Sequence, residues 1–198
     1  MLIAAALVPA AARAHGDPAS AYLRGGGDVF VSFRAHASET AVKQLTAIVA
    51  QARERGFRLK VSVIGDRADL GDDPGLLDRP EAYALDLSEQ LELDYGGTLL
   101  AVTPAGYGVS RRGKPDAAAR RTLASLASPS ASRRDPASAA VDAVRRLAAA
   151  RGIDLVVPRV HTGSSRTSDR LKIVVAAVVA VCVVGGVSLA RRRAARRA

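Results

Sequence analysis

Between Asp28 and Pro104 the apolar residues switch from a period of two to a period of 3.6 and back again, twice over. "DVFVSF" puts Val29, Val31 and Phe33 on one face and predicts a strand. In "ASETAVKQLTAIVAQARERG", Val42, Leu45, Ile48, Val49 and Ala52 recur at helical spacing. Ser38 is placed to cap that helix, Glu39 suits its first turn and Gly56 its end. "FRLKVSVIG" alternates Leu59, Val61 and Val63 and stops at Gly65, a second strand. Asp66 to Pro80 is rich in Asp, Gly and Pro and reads as a loop, with Pro80 at a favoured first helical position. "PEAYALDLSEQLEL" aligns Ala84, Leu87 and Leu91 on a second helix. "TLLAVTP" is apolar on both faces, as a central strand is. Strand, helix, strand, helix, strand predicts parallel pairing with right-handed crossovers. The fold class expected is α/β: three layers, α/β/α, around a small, mostly parallel sheet.

The flanks complete this domain, expected over residues 28–157. Residues 15–27 contain Gly25-Gly26-Gly27 and no periodicity, a flexible lead-in. After "TLLAVTP", the Gly106-Tyr107-Gly108 turn leads to "YGVS", an expected edge strand. "PDAAARRTLASLA" predicts a helix with Leu123 and Leu126 inward, and "SPSASRRDP" a linker. "ASAAVDAVRRLAAARG" predicts a helix burying Ala140, Val141, Val144, Leu147 and Ala148. "IDLVV" predicts a last strand before Pro158.

Two apolar segments bracket the domain. Ile173 to Ala190 is a run of 18 uncharged residues. As a helix it covers about 27 Å, close to the roughly 30 Å hydrocarbon core of a bilayer. Lys172 lies at one end and Arg191, Arg192, Arg193, Arg196 and Arg197 at the other. This predicts a transmembrane helix over 171–190 with residues 191–198 as a basic cytoplasmic tail. Residues 158–170 are polar, a stalk. Leu2 to Val8, Pro9 and the Ala12-Arg13-Ala14 triplet resemble a secretory signal over 1–14, although a basic n-region is missing. Together these segments place the domain outside the plasma membrane on a single span.

The net charge of +10 fits this layout. Five of the positive charges fall in the last eight residues, while Asp17 to Arg170 holds 22 basic and 19 acidic side chains. That near balance gives no footprint for nucleic acid. The only cysteine, Cys182, lies in the apolar run, so neither an internal disulfide nor a paired-cysteine zinc site is available. Trp is absent and aromatic residues are few, so the core is built from Ala, Val and Leu. The Arg and Ala bias suggests a high-GC bacterial genome.

Chemistry-bearing residues are sparse. Gly106-Tyr107-Gly108 follows a buried strand, where phosphate loops occur. The third glycine and the helix of a dinucleotide loop are missing, and no GxxxxGK[ST] occurs, so the segment reads as a hairpin. The loop after Gly65 is the better candidate. Asp66, Asp69, Asp72 and Asp73 follow the carboxyl end of the second strand, and hard oxygen ligands suit a weakly held Ca²⁺ or Mg²⁺. The plainer reading is a solvated acidic face. His36 follows the first strand near Ser32 and Ser38, but no GxSxG elbow exists. Arg111, Arg112, Lys114, Arg120 and Arg121 form a basic group that suits anionic lipid headgroups or cell-wall polymers, or is simply a solvated face.

The helix end "ARERG", the strand "LKVSVIG", the loop leading to "YALDLSEQL" and the run "YGGTLLAVTPAGYGV" together resemble the TPM domain family. That family is known from thylakoid-lumen repair proteins and bacterial membrane-anchored proteins. "LLAVTPAGYGV" also resembles a group of actinobacterial membrane proteins. Tyr83-Ala84 stands where the family has a Tyr-Ala pair opening its second helix, and Gly97 where it has a glycine before a Leu-rich strand. Two residues before that glycine the family commonly has Asp; Tyr95 stands here, with Asp94 one place off. The resemblance implies Ca²⁺ binding or weak acid-phosphatase activity, or else a non-enzymatic accessory role beside membrane complexes. Two functions follow as expectations. The first is an anchored, non-enzymatic scaffold or sensor with an envelope protein as partner. The second is a metal-assisted phosphatase using the acidic loop.

Overall fold

The computed structural model describes residues 17–91 and 95–158. The expected signal, most of the stalk, the apolar span and the basic tail lie outside the described residues. Among the described residues no helix is long and apolar enough to cross a membrane.

Five strands form one sheet in the order of the chain: β1 (Val29–Val31), β2 (Leu59–Val63), β3 (Thr98–Thr103), β4 (Gly106–Arg111) and β5 (Lys114–Pro115). β1, β2 and β3 are parallel, with Val29 opposite Val61 and Val61 opposite Leu100. β3–β4 and β4–β5 are antiparallel. The sheet is therefore evenly mixed rather than mostly parallel. Pro104-Ala105 is a turn too short to cross over, so β4 returns antiparallel. Arg112 and Gly113 both have positive φ (52° and 68°), the geometry that folds β5 back on β4. β5 displaces β4 from the edge, and its Pro115 ends the ladder.

Every residue of β2 and β3 is buried, so each face of the sheet needs a cover. On one face α2 (Glu39–Glu54), α4 (Ala117–Leu123) and α6 (Pro136–Ala149) pack Leu45, Ile48, Leu123, Val144 and Leu147 onto Val61, Val63, Leu100 and Val102. On the other face α1 (Pro18–Arg24) and α3 (Pro80–Leu91) pack Leu23, Tyr83, Leu87 and Leu91 onto Ile64, Leu99 and Ala101. This is the three-layer arrangement expected. A four-residue helix, α5 (Pro129–Ser132), interrupts the expected linker.

α2 connects β1 to β2 across one face, and α3 connects β2 to β3 across the other. The chain steps across the sheet in one direction, so these two crossovers have opposite hands. The expectation that both are right-handed fails. The apolar side chains on both faces of β3 demand a helix on each side, and α2 and α6 already fill one of them.

Local caps explain most helix starts. Ser38 Oγ accepts from the Ala41 amide, Asp116 from Ala119, and Asp135 from Ala137 and Ser138. Asp135 Oδ2 also accepts from the Ser38 amide, which ties the starts of α2 and α6 together. Two stretches depart from expectation. Residues 18–24 are a helix, not a flexible lead-in: Asp17 caps it, Pro18 opens it, and Ala19 and Leu23 are buried one turn apart. Residues 153–157 form no strand. Their backbone is held by a side chain, with the Val156 amide donating to Gln51 Oε1 at 2.9 Å, while Leu155 fills the core.

Candidate functional site

The carboxyl ends of β1 and β2 carry the four acidic candidates, and the fold uses them unequally. Asp69 is buried, and Asp66, Asp72 and Asp73 are exposed. Asp69 Oδ2 accepts from the backbone amides of Gly65 (3.2 Å) and Asp66 (3.1 Å), and Oδ1 accepts from Arg34 Nη1 at 3.0 Å. Burial raises its pKa, but hydrogen bonds from Ser32, Arg34, Asp66 and Gly65 outweigh that and hold it below the usual carboxylate range. Asp66 Oδ1 in turn accepts from the Ala68 amide, so Asp66 and Asp69 form a reciprocal capping box. Among the described residues no three His, Cys, Asp or Glu side chains are grouped to hold a metal ion. Asp69, the one buried carboxylate of the four, already serves Arg34 and two amides.

The crevice expected at this edge is also filled by the chain itself. A Cβ on Gly65 would lie 2.3 Å from Ala35 Cα and the Arg34 carbonyl oxygen, because the short turn Phe33–Ala35 crosses over it. His36 is exposed, with φ of 50°, and its ring lies 6.5 Å from that of Phe33. Ser32 and Ser38, its potential nucleophile partners, accept from the Arg34 and Ala41 amides as caps. Gly106-Tyr107-Gly108, expected as a turn, is the first part of β4 in a hairpin that turns at Pro104-Ala105. Gly108 lacks a side chain because a Cβ there would sit 1.8 Å from the Pro80 carbonyl oxygen at the start of α3.

The residues that carry the family resemblance have structural roles. Tyr83 Oη donates to Asp17 Oδ2 at 2.8 Å and lies 3.3 Å from Ser62 Oγ, joining α3, the cap of α1 and β2. Burial pushes the Tyr83 hydroxyl up, with nearby Asp17 adding to it, and burial likewise raises Asp17. Tyr95 Oη donates to the Thr98 carbonyl at 3.1 Å, and its ring would clash with a Cβ on Gly97.

The opposite edge of the sheet, at the amino ends of the parallel strands, has a different character. Lys60 is buried there. Its Nζ donates to the carbonyls of Leu23 and Gly27 at the end of α1 and lies 3.4 Å from Asp28 Oδ1. A cleft of about 240 Å³ above it is lined by Arg24, Arg53 and Arg58 as well as Asp28. A second cleft of about 270 Å³ shares Arg58 and adds Arg111, Arg112 and Arg151 between the glycine turns Gly56 and Gly96-Gly97. The basic group read from the sequence is thus divided. Arg111 and Arg112 join this cleft, while Arg120 pairs with Glu81 at 3.0 Å. Sequence reasoning missed Arg58 and Arg151 because they are far from Arg111 in the chain. The glycines that precede the strands and follow the helices were the only local sign of an open rim.

The chain forms an α/β domain of three layers on a mixed five-stranded sheet. No family model, curated protein or solved structure matches it.

Proposed function

We propose that this protein is a TPM-like domain displayed outside the plasma membrane on a single C-terminal span. There it works as a non-enzymatic scaffold or sensor for a partner of the cell envelope. One observation carries the non-enzymatic reading: the buried carboxylate of the acidic loop, Asp69, accepts from two backbone amides and Arg34. A carboxylate engaged in this way holds a loop in shape, with most of its acceptor sites already used. The anchoring reading is supported by the 18-residue apolar run and the five arginines beyond it.

Two measurements test the proposal. The full chain, tagged after Ala198, is expected to resist alkaline extraction from membranes, and external protease is expected to remove the domain but spare the tag. Recovery in the soluble fraction overturns the anchor. The purified full chain with Ca²⁺ or Mg²⁺ is expected to turn over a chromogenic phosphate ester no faster than an Asp66→Asn, Asp72→Asn, Asp73→Asn variant. Asp69 stays intact in that variant because the loop depends on it. Metal-dependent turnover that the triple variant loses overturns the non-enzymatic reading and favours the phosphatase.

A further inference from the structure

We propose that the arginine cleft at the amino edge of the parallel strands binds a phosphate group. Its walls are Arg58, Arg111, Arg112 and Arg151, and its rim is the backbone at Gly56 and Gly96. The inference rests on the scaffold-or-sensor reading and deepens it by naming a ligand class. It depends neither on the membrane anchor nor on the absence of turnover.

Four arginines line this cleft from four separate places: before β2, the end of β4, the turn after it and the end of α6. Among the described residues the carboxylate recorded against them is Asp116, whose Oδ2 is 3.7 Å from Arg151 Nη2. Arg58, Arg111 and Arg112 are exposed and Arg151 is half-buried. Like charges gathered in one concave place repel one another, and an anion relieves that repulsion. At Arg151 burial lowers the pKa, Asp116 raises it in part, and nearby Arg111 lowers it again.

Several of these groups are held in place before any ligand arrives. The Arg151 guanidinium lies 4.3 Å from the centre of the Phe57 ring and donates to the Leu147 carbonyl at 3.1 Å. Arg58 lies 5.4 Å from the centre of the Tyr95 ring. Arg112 Nε donates to the Gly96 carbonyl at 3.4 Å. Cations stacked on rings keep their outer N–H groups free for a planar fork onto oxygens. Gly56 and Gly96 border open space, since a Cβ on either would meet nothing within 4 Å, so a ligand can approach the main chain closely. A single carboxylate matches one such fork. Several forks around one cleft match the three or four oxygens and higher charge of a phosphate. The source of that phosphate is either a free phosphate ester or the headgroup of an anionic lipid.

The full chain in detergent micelles is dialysed to equilibrium against radiolabelled orthophosphate, and in parallel against radiolabelled short-chain phosphatidylglycerol. The Arg58→Gln, Arg111→Gln double variant is compared with an Arg121→Gln, Arg145→Gln variant that loses the same charge elsewhere. The cleft variant is expected to bind at least about tenfold more weakly, since charge-assisted hydrogen bonds are lost. The control is expected to stay within about twofold, the scale of long-range screening alone. Without phosphate the cleft variant is expected to unfold at or above the wild-type temperature, because repulsion is relieved; a structural role for these arginines predicts the reverse. Orthophosphate binding assigns the free source, and binding of the lipid alone assigns the headgroup. Equal binding by wild type and cleft variant for both probes, or equal loss in both variants, overturns the proposal.

Discussion

Asp69 and Asp17 show how burial and hydrogen bonding set opposite signs for one residue type. Asp69 is held below its ordinary value of 3.8, so the folded state prefers it charged. Its contribution is complete above the unfolded pKa and is lost as pH falls through the lower folded value. Asp69→Asn should cost about 2 kcal/mol at pH 7, the scale for hydrogen bonds to a charged group. The gap from wild type should close below about pH 3.8, where urea unfolding at stepped pH can follow it. Asp17 is raised, so the folded state prefers it protonated, and its effect runs the other way, diminishing stability as pH rises. Thr103 supplies a separate test. Its hydroxyl is buried and without a hydrogen-bond partner. Thr103→Val keeps the shape and removes that liability, so the variant should gain about 1 kcal/mol in the same assay. Asp69 was not distinguishable in the sequence from its neighbours Asp66 and Asp72. Burial separates it from them, and burial is set by the whole fold.

At the scale of elements, the long helices and the central strands were legible because each has a complete apolar stripe. α2 buries Leu45, Ile48, Val49 and Ala52, and α6 buries Ala140, Val141, Val144, Leu147 and Ala148, as their spacing predicts. α1 was not legible. A seven-residue helix offers two turns, and its Ala19 and Leu23 are too few to establish a period. Its stability comes from contact with α3 and from Lys60, whose Nζ donates to the carbonyls of Leu23 and Gly27. Leu23→Ala should therefore cost about 2–4 kcal/mol, as core truncations do. A change within about 0.5 kcal/mol, the scale of surface substitutions, would restore the flexible lead-in. The strand expected at 153–157 failed for a related reason. "IDLVV" has strand composition, but pairing needs a free edge in register, and Gln51 occupies its backbone instead.

For the molecule as a whole, among the described residues the buried members of both core clusters run from Ala19 to Leu155, with Val157 packed against one of them. A chain ending at Pro158 should thus unfold in one cooperative transition, at a urea midpoint matching the domain in the full chain. Loss of cooperativity would mean that a later segment completes the core. The two ends of the sheet also divide in character. The carboxyl edge is closed by Phe33–Ala35 over Gly65, and the amino edge opens into arginine-lined clefts. The sequence by itself determined the strand–helix alternation, the cap at Ser38 and the apolar run at 173–190, because each is a local pattern of neighbouring side chains. Tertiary structure alone decided the mixed pairing, the opposite hands of the two crossovers, the burial of Asp69 and the meeting of Arg58, Arg111, Arg112 and Arg151. These depend on which distant segments share a surface, and that is settled only when both faces of the sheet are covered at once.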